Sequence, residues 1–188
     1  DALLEAGGSD RWRGDPNWFD LQRTRRRDWV AQTLAELDDS GSDSAVHPLQ
    51  LALDVQKAME PNDWLIIDGG NTHFWSEIAI NVAGWQGKRL AGILHPGAFS
   101  MLGVGVSFGV AAKLRNRDSN VVVISGDGAF LSGGLSIEAA FQEDTPITVV
   151  IDNNGGLTTI SQQQEHLFGH NRHVGTDFRD IPFHKLFE

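Results

Sequence analysis

Short apolar runs alternate with helical patterns over most of the chain. Residues 64–67, 121–124 and 147–151 are largely apolar runs flanked by polar residues, as in strands that are buried on both faces. Helical apolar spacing occupies other stretches, namely residues 49–59, 74–82, 101–114 and 135–142. Strands that alternate with helices predict an α/β domain with a doubly wound, mostly parallel sheet.

The first part of the chain has a different texture. Residues 1–14 are rich in glycine and charge and predict a linker, and Asp15-Pro16 predicts the start of a helix that continues to Leu37. A turn-rich spacer at residues 38–44 marks the predicted boundary. We therefore expect residues 1–45 to be a linker and helix from a preceding middle domain, and residues 46–188 to be one domain.

The two ends of the chain indicate a fragment. The chain starts at Asp1 without a methionine, and Asp180 precedes apolar residues at helical spacing just before the chain stops at Glu188. We expect the domain to be truncated at its C-terminus.

Composition excludes several classes of protein. The net charge of −10 argues against a nucleic-acid binder, since phosphate neutralisation needs a basic face. The absence of cysteine excludes disulfides and thiolate metal sites. No apolar run approaches the roughly 18 residues of a membrane span, so no membrane partner is expected and a cytoplasmic location is the default.

Candidate chemistry lies where the predicted strands end. Gly126-Asp127-Gly128 and Asn153-Asn154-Gly155-Gly156 each follow a strand, and residues 129–152 between them suit one helix and one strand. Both motifs therefore return to the same edge of the sheet, where parallel sheets bind ligands. A carboxylate, an amide oxygen and an exposed carbonyl suit Mg²⁺ that also binds phosphate oxygens. The pair of motifs predicts a metal-bridged diphosphate site.

These motifs resemble a known family. Gly126-Asp-Gly-Ala-Phe130, followed at this interval by Asn153-Asn154, resembles the cofactor signature of thiamine-diphosphate-dependent enzymes. The likeness extends to Asp68-Gly-Gly-Asn-Thr-His-Phe-Trp75 and to Met101-Leu-Gly-Val-Gly105, is greatest to the acetolactate synthase group, and covers roughly residues 46–188. It implies the thiamine diphosphate-binding fold and an enzyme that forms or cleaves a carbon–carbon bond of a 2-oxo acid such as pyruvate.

The resemblance also implies roles for single residues. Asp127, the side chain of Asn154 and the carbonyl of Gly156 are implied to bind Mg²⁺. Leu102 falls on the bulky residue that wedges the cofactor into its bent form. The remaining implied cofactor-binding residues lie beside the diphosphate or in the same turn: Asn71, Thr72, Gly126, Gly128 and Ala129.

Other parts of the active site are implied to lie outside this chain. In this family a glutamate from a pyrimidine-binding domain, usually on a partner subunit, activates the cofactor, and the chain holds no candidate for it. The resemblance therefore implies a homo-oligomer, dimer or tetramer, and we expect the isolated fragment to be inactive. No catalytic residue is assigned within the chain, and the absent middle domain leaves bound FAD open.

Three positions depart from the family pattern. Ala129 replaces a frequent serine, Gln163 falls where acetolactate synthases of plants and microbes usually carry a tryptophan, and Ile160 falls where pyruvate decarboxylases carry a catalytic glutamate. Gln163 therefore argues against acetolactate synthesis itself, and Ile160 argues against a simple pyruvate decarboxylase.

Two further interpretations remain open. One is a nucleotide-binding module, although Phe108 stands where the third glycine of Gly-x-Gly-x-x-Gly should follow Gly103 and Gly105. The other is a non-catalytic relative that only binds the cofactor.

The histidines offer weaker candidates. His73 and His95 lie near predicted strand ends. They could act as an acid or base in the reaction, or they could be polar residues that hydrogen-bond only to the neighbouring backbone. A metal cluster of His166, His170 and His173 on one helix is disfavoured by the intervening Gly169 and Asn171.

Overall fold

The structure is a computed structural model that describes residue 15, residues 17–39 and residues 46–186. The chain divides into two compact units, with the boundary between Ser44 and Ala45. The predicted linker over residues 1–14, most of the predicted spacer over residues 38–44, and residues 187–188 of the predicted terminal helix lie outside the described residues.

The described part of the first unit is one helix, α1 (Trp18–Asp39). Asp15 precedes it and closes its first turn, because the carboxylate accepts the N–H of Asn17 at 2.8 Å and its carbonyl accepts the N–H of Trp18 at 2.9 Å. Such bonds satisfy N–H groups that have no partner inside a helix.

The second unit is built on a four-stranded sheet. Its strands are β1 (Trp64–Ile67), β2 (Gly92–Leu94), β3 (Val121–Gly126) and β4 (Thr148–Asp152). The order across the sheet is β2-β1-β3-β4, and every pairing is parallel. Three strands match the predicted apolar runs, whereas β2 was not predicted. This strand has three residues and begins at Gly92, where the ring of Trp64 fills the space of a side chain.

Helices surround this sheet. They are α2 (Pro48–Ala58), α3 (Asn71–Trp85), α4 (Gly105–Arg115), α5 (Asp127–Gly133), α6 (Glu138–Gln142) and α7 (Thr158–Phe168), together with 3₁₀ turns at Gly97–Phe99, Gly134–Ile137 and Phe183–Leu186. Within the described ranges, no helix has both the length and the apolar character needed to cross a membrane.

The core lies on both faces of the sheet. Leu65 and Ile67 pack on one face with Val55 of α2 and Ile80 of α3. Ile66 faces the other way, in a second apolar cluster that includes Val123 of β3 and Ala112 and Phe108 of α4. Alternate residues of one strand thus enter opposite cores, which explains why the strands are apolar throughout. The doubly wound α/β fold is confirmed.

The strand order fixes where a ligand binds. The chain leaves β1 toward β2 on one side and then crosses to β3 on the other side of β1. The carboxyl ends of β1 and β3 therefore flank the topological switch point, at which open parallel sheets leave a crevice.

Several predicted helix limits were wrong. Helix α4 begins at Gly105 rather than near Met101, because Gly103 has a left-handed backbone (φ +85°) and its N–H donates to Asp68. The predicted helix over residues 135–142 is a 3₁₀ turn followed by α6, since two glycines precede it and Gly133 lies against the backbone of Gly103. Of the predicted terminal helix, the described part is only the 3₁₀ turn Phe183–Leu186.

Candidate functional site

A cavity of about 240 Å³ opens at the carboxyl ends of β1, β3 and β4. All nine cofactor-binding residues predicted from the sequence line it: Asn71, Thr72, Leu102, Gly126, Asp127, Gly128, Ala129, Asn154 and Gly156. They come from four separate segments, which the parallel sheet brings to one edge. The structure therefore assembles the predicted set in one place; their contacts to a ligand stay a prediction.

Asp127 is the buried acid of the cavity. Asp127 is only 1% exposed. One carboxylate oxygen accepts the N–H of Gly128 at 2.6 Å, and the other accepts the N–H groups of Gly155 and Gly156, each at 2.8 Å. A carboxylate offers about four lone-pair sites, so three hydrogen bonds leave about one for a cation.

The charge state of Asp127 reflects its surroundings. Burial raises the pKa of the Asp127 carboxyl above its ordinary value, and the nearby charge of Asp152 adds to the rise. Hydrogen bonds from the N–H groups of Gly128, Gly155 and Gly156 act in the opposite direction. A bound cation would offset both the burial and the repulsion between the two carboxylates.

Asp152 links two walls of the cavity. The hydroxyl of Thr72 donates to Asp152 Oδ2 at 2.8 Å, and the side-chain nitrogen of Asn154 donates to the same oxygen at 3.3 Å. This arrangement fixes the start of α3 against the loop after β4. It also leaves the amide oxygen of Asn154 as the atom of that side chain that can ligate a metal.

Gly156 shapes the third wall. Its backbone has φ +147°, and a Cβ at this position would lie 2.1 Å from the carbonyl oxygen of Thr176. Gly156 forms an isolated bridge with Asp177. This close approach requires that residue 156 has no side chain. The carbonyl of Gly156 accepts the N–H of Thr158 at 2.9 Å and keeps a second lone pair.

The segment that carries Leu102 is held by Asp68. The buried carboxylate of Asp68 accepts the N–H groups of Gly69, Gly103 and Gly105 and the hydroxyl of Ser125, at 2.8 to 3.1 Å. These bonds attach the turn before α4 to the end of β1. Leu102 is 37% exposed, and its side chain closes against Gly69, where a Cβ would lie 2.9 Å from Leu102 Cδ2.

The donor set fits a magnesium-bound diphosphate. It contains one buried carboxylate, one amide oxygen and one backbone carbonyl, which are the neutral and acidic oxygens that Mg²⁺ takes together with phosphate oxygens. Glycine at residue 128 allows Leu157 to pack against the start of α5, because a Cβ there would lie 2.6 Å from Leu157 Cδ2.

Some residues of the site were not predicted. Asp68 and Asp152 position the walls through side-chain hydrogen bonds, and Phe74, Ser100 and Leu157 line the cavity. The position of Asp68 and Asp152 at strand ends is the signal that could have identified them.

The five candidate histidines of the sequence lie in two places. His73 and His95 lie close together, with ring centroids 5.2 Å apart. His166 lies within α7, whereas His170 and His173 follow Gly169, after the end of the helix. These three do not share a helical face, and Glu165 accepts from His173 at 2.9 Å.

Comparisons with known proteins agree with this geometry. The family model described as thiamine pyrophosphate enzyme, C-terminal TPP binding domain, matches residues 68–188. The chain is 30% identical to 2-hydroxyacyl-CoA lyase 2 of Homo sapiens over 183 residues, which are 97% of this chain and 27% of that protein. It is 32% identical to 2-hydroxyacyl-CoA lyase 2 of Bos taurus over 140 residues, 74% of this chain and 21% of that protein.

An acetolactate synthase is also similar. Acetolactate synthase large subunit IlvG of Mycobacterium tuberculosis (strain ATCC 25618 / H37Rv) is 26% identical over 170 residues, 90% of this chain and 29% of that protein. The chain thus spans between 21% and 29% of the length of these three curated relatives. The chain belongs to the thiamine pyrophosphate enzyme family, within which it matches the C-terminal TPP binding domain.

Proposed function

We propose that this chain is the diphosphate-binding domain of a thiamine-diphosphate- and Mg²⁺-dependent enzyme. The reaction forms or cleaves a carbon–carbon bond next to a carbonyl, on a 2-oxo acid such as pyruvate. The observation that carries the proposal is the buried carboxylate of Asp127, which lines one cavity together with Asn154 and Gly156.

The metal would be held by three oxygens of this chain. They are a carboxylate oxygen of Asp127, the amide oxygen of Asn154 and the carbonyl of Gly156. The charge of Asp127 is unfavourable in a buried position beside Asp152, and a divalent cation removes that penalty.

The diphosphate would lie against the walls that glycine and small residues form. Asn71 and Thr72 begin α3 on one side, and Gly128 and Ala129 lie in the first turn of α5 on the other. The N–H of Gly128 already donates to Asp127. It could donate to a phosphate oxygen only if that hydrogen bond were broken or shared. The side chain of Asn71 is the stronger candidate for a direct hydrogen bond, because the hydroxyl of Thr72 already donates to Asp152.

Apolar side chains form part of the cavity wall and would keep water out of it. Phe74, Leu102, Leu157 and Ile160 line it beside the polar set. When bound, thiamine diphosphate supplies a carbon nucleophile and an electron sink for a bond next to a carbonyl. The apolar side chains would exclude water from that reaction, and Leu102 would support the bent cofactor.

The activating glutamate and much of the substrate pocket would come from elsewhere in the enzyme. We propose that a pyrimidine-binding domain supplies the glutamate within a homo-oligomer. The isolated 188-residue chain would then have no turnover.

Two observations favour a second substrate class. The two relatives named 2-hydroxyacyl-CoA lyase 2 are 30% and 32% identical to this chain, against 26% for the acetolactate synthase. Gln163 stands where acetolactate synthases usually carry a tryptophan, which also argues against acetolactate synthesis. Cleavage of a 2-hydroxyacyl thioester uses the same bond position and is therefore the alternative substrate class.

Two experiments test the proposal. Calorimetry of the full-length protein with thiamine diphosphate and with NAD, each with and without Mg²⁺, should show binding of thiamine diphosphate only when Mg²⁺ is present. Binding of NAD instead would favour the nucleotide-binding interpretation and overturn the proposal. Turnover of the full-length protein should then be compared on pyruvate, other 2-oxo acids and 2-hydroxyacyl-CoA. Activity on the last alone would assign the alternative substrate, and cofactor binding without any turnover would indicate a non-catalytic relative.

A further inference from the structure

Three potential metal ligands meet beside the cofactor cavity. His73 Nε2 lies 3.2 Å from Glu77 Oε1, and His95 Nδ1 lies 4.0 Å from the same oxygen. One ligand atom from each of the three side chains lies within 4.8 Å of the others. Among the described residues, His73, Glu77 and His95 are the one group of three or more histidine, aspartate or glutamate side chains that meets this distance criterion.

The fold explains why these residues meet. His73 and Glu77 are four residues apart on α3 and therefore project from the same face of the helix. His95 follows β2, which pairs with β1. Because α3 starts just after β1, the parallel pairing of β1 and β2 brings the ring of His95 to the first turns of α3.

We propose that His73, Glu77 and His95 bind one Zn²⁺ ion at a site separate from the magnesium site. Two imidazoles and a carboxylate are a known zinc donor set, with a remaining position for water. Ligand atoms about 2.0–2.1 Å from a tetrahedral Zn²⁺ are about 3.3 Å apart, so the pair of His73 and Glu77 already has the required separation. His95 closes the site when its ring nitrogen moves by roughly 1 to 1.5 Å toward Glu77 and His73, since no two of the three ligand atoms are more than 4.8 Å apart.

The burial of the three side chains supports an open site. The side chain of His73 is 10% exposed, whereas those of Glu77 and His95 are 45% and 40% exposed. An ion there is held from the protein side by His73 and faces solvent on the other, where water completes its shell. The N–H of Gly97 lies 3.3 Å from His95 Nδ1, a long hydrogen bond that yields readily to a metal.

The chemistry of the two sites keeps their metals apart. Imidazole nitrogens select zinc-like ions, whereas the all-oxygen set around Asp127 suits Mg²⁺. The sites are nevertheless neighbours, since Thr72 and Phe74 flank His73 in the sequence and line the cofactor cavity. A zinc ion would attach α3 to the segment after β2, which leads to Ser100 and Leu102 of the cavity wall.

The test is a zinc titration of the full-length protein, stripped with a chelator and then held in saturating Mg²⁺ to fill oxygen sites. Calorimetry should show one tight Zn²⁺ equivalent per chain, and this equivalent should raise the melting temperature. Glu77→Gln and His95→Asn should each weaken Zn²⁺ binding by at least about tenfold and remove the rise in melting temperature. Both positions are solvent-accessible, so these variants are expected to fold even if a variant of buried His73 does not.

Matched variants make the result specific. His184→Asn and Glu143→Gln change the same residue types at exposed positions outside the cluster, and should bind Zn²⁺ as the wild type does. Asp127→Asn should also keep Zn²⁺ binding, which separates this inference from the proposed cofactor function. The proposal is overturned if no Zn²⁺ equivalent binds in Mg²⁺, or if Glu77→Gln and His95→Asn bind Zn²⁺ with unchanged affinity.

Discussion

Asp127 Oδ2 accepts the backbone N–H of Gly156 at 2.8 Å, across 29 residues of sequence. The bond joins the end of β3 to the loop after β4, so the acid and the carbonyl of Gly156 are positioned by the same local structure. Two of the three predicted metal ligands are thus held together before any metal binds, which reduces the ordering needed on binding.

The first prediction concerns the shape of this loop. Gly156→Ala should destabilise the protein by at least about 2 kcal/mol, because its Cβ would collide with the carbonyl of Thr176 and its backbone conformation disfavours any side chain. Gly155→Ala is a matched control, since Gly155 also has a positive φ (+85°) but nothing lies within 4 Å of its Cβ. It should cost only about 1 kcal/mol. Chemical unfolding measures both; equal losses would show that the contact with Thr176 does not determine the loop.

The second prediction concerns Asp68, which holds the segment with Leu102. Asp68→Asn places a donor among the N–H groups of Gly103 and Gly105 and should destabilise the protein by about 1–3 kcal/mol. It should also weaken binding of thiamine diphosphate with Mg²⁺, because the segment before α4 loses its attachment to β1.

Asp63 provides the control for that change. It is 4% exposed and accepts bonds from Glu60 and Asn120 at the opposite end of β1, away from the cavity. Asp63→Asn should lower stability by a similar amount and leave the affinity of the folded protein for the cofactor unchanged. A similar loss of affinity in both variants would indicate a general effect of destabilisation.

The third prediction concerns pH. The hydrogen bond to Asp177 is the main cause that raises the pKa of His173, and Glu165 adds to the rise. A raised pKa in the folded state means that the ionic contacts stabilise the fold fully below the ordinary pKa and are lost as pH rises through the folded value. The melting temperature should therefore fall as pH increases above about 6.5. His173→Gln should remove that component of the pH dependence.

His184→Gln serves as the reference for the pH series, since His184 is exposed and lies outside this cluster. It should follow the wild-type profile. Parallel profiles for the wild type and His173→Gln over this pH range would contradict the role of His173.

The sequence predicts the sheet better than it predicts the helix limits. Strands β1 and β3 are almost wholly buried and β4 is half-buried, and each is a largely apolar run that is visible in the sequence. Strand β2 was not predicted, because a run of three residues that starts with glycine is too short to show such a pattern. The start of α4 depends on hydrogen bonds from Gly103 and Gly105 to Asp68, which are tertiary contacts and leave no periodic signal.

The candidate site divides in the same way. Asp127 and Asn154 can be predicted because parallel strands bring their carboxyl ends to one edge. The bond from Thr72 to Asp152 joins residues 80 positions apart, and its existence depends on how α3 packs beside β4. The contact of His95 with Glu77 likewise depends on β2 and could not be predicted from local sequence.

The most direct test of the cofactor site is the affinity of the full-length protein for thiamine diphosphate in Mg²⁺, measured by calorimetry for the wild type and Asp127→Asn. Asp118→Asn, at an exposed position outside the cavity, is the control. We predict Mg²⁺-dependent binding for the wild type and the control, and affinity weaker by at least about 100-fold for Asp127→Asn, which loses a first ligand of the metal. Equal affinity in the wild type and Asp127→Asn, or binding that is indifferent to Mg²⁺, would contradict the assignment of Asp127 as the metal ligand.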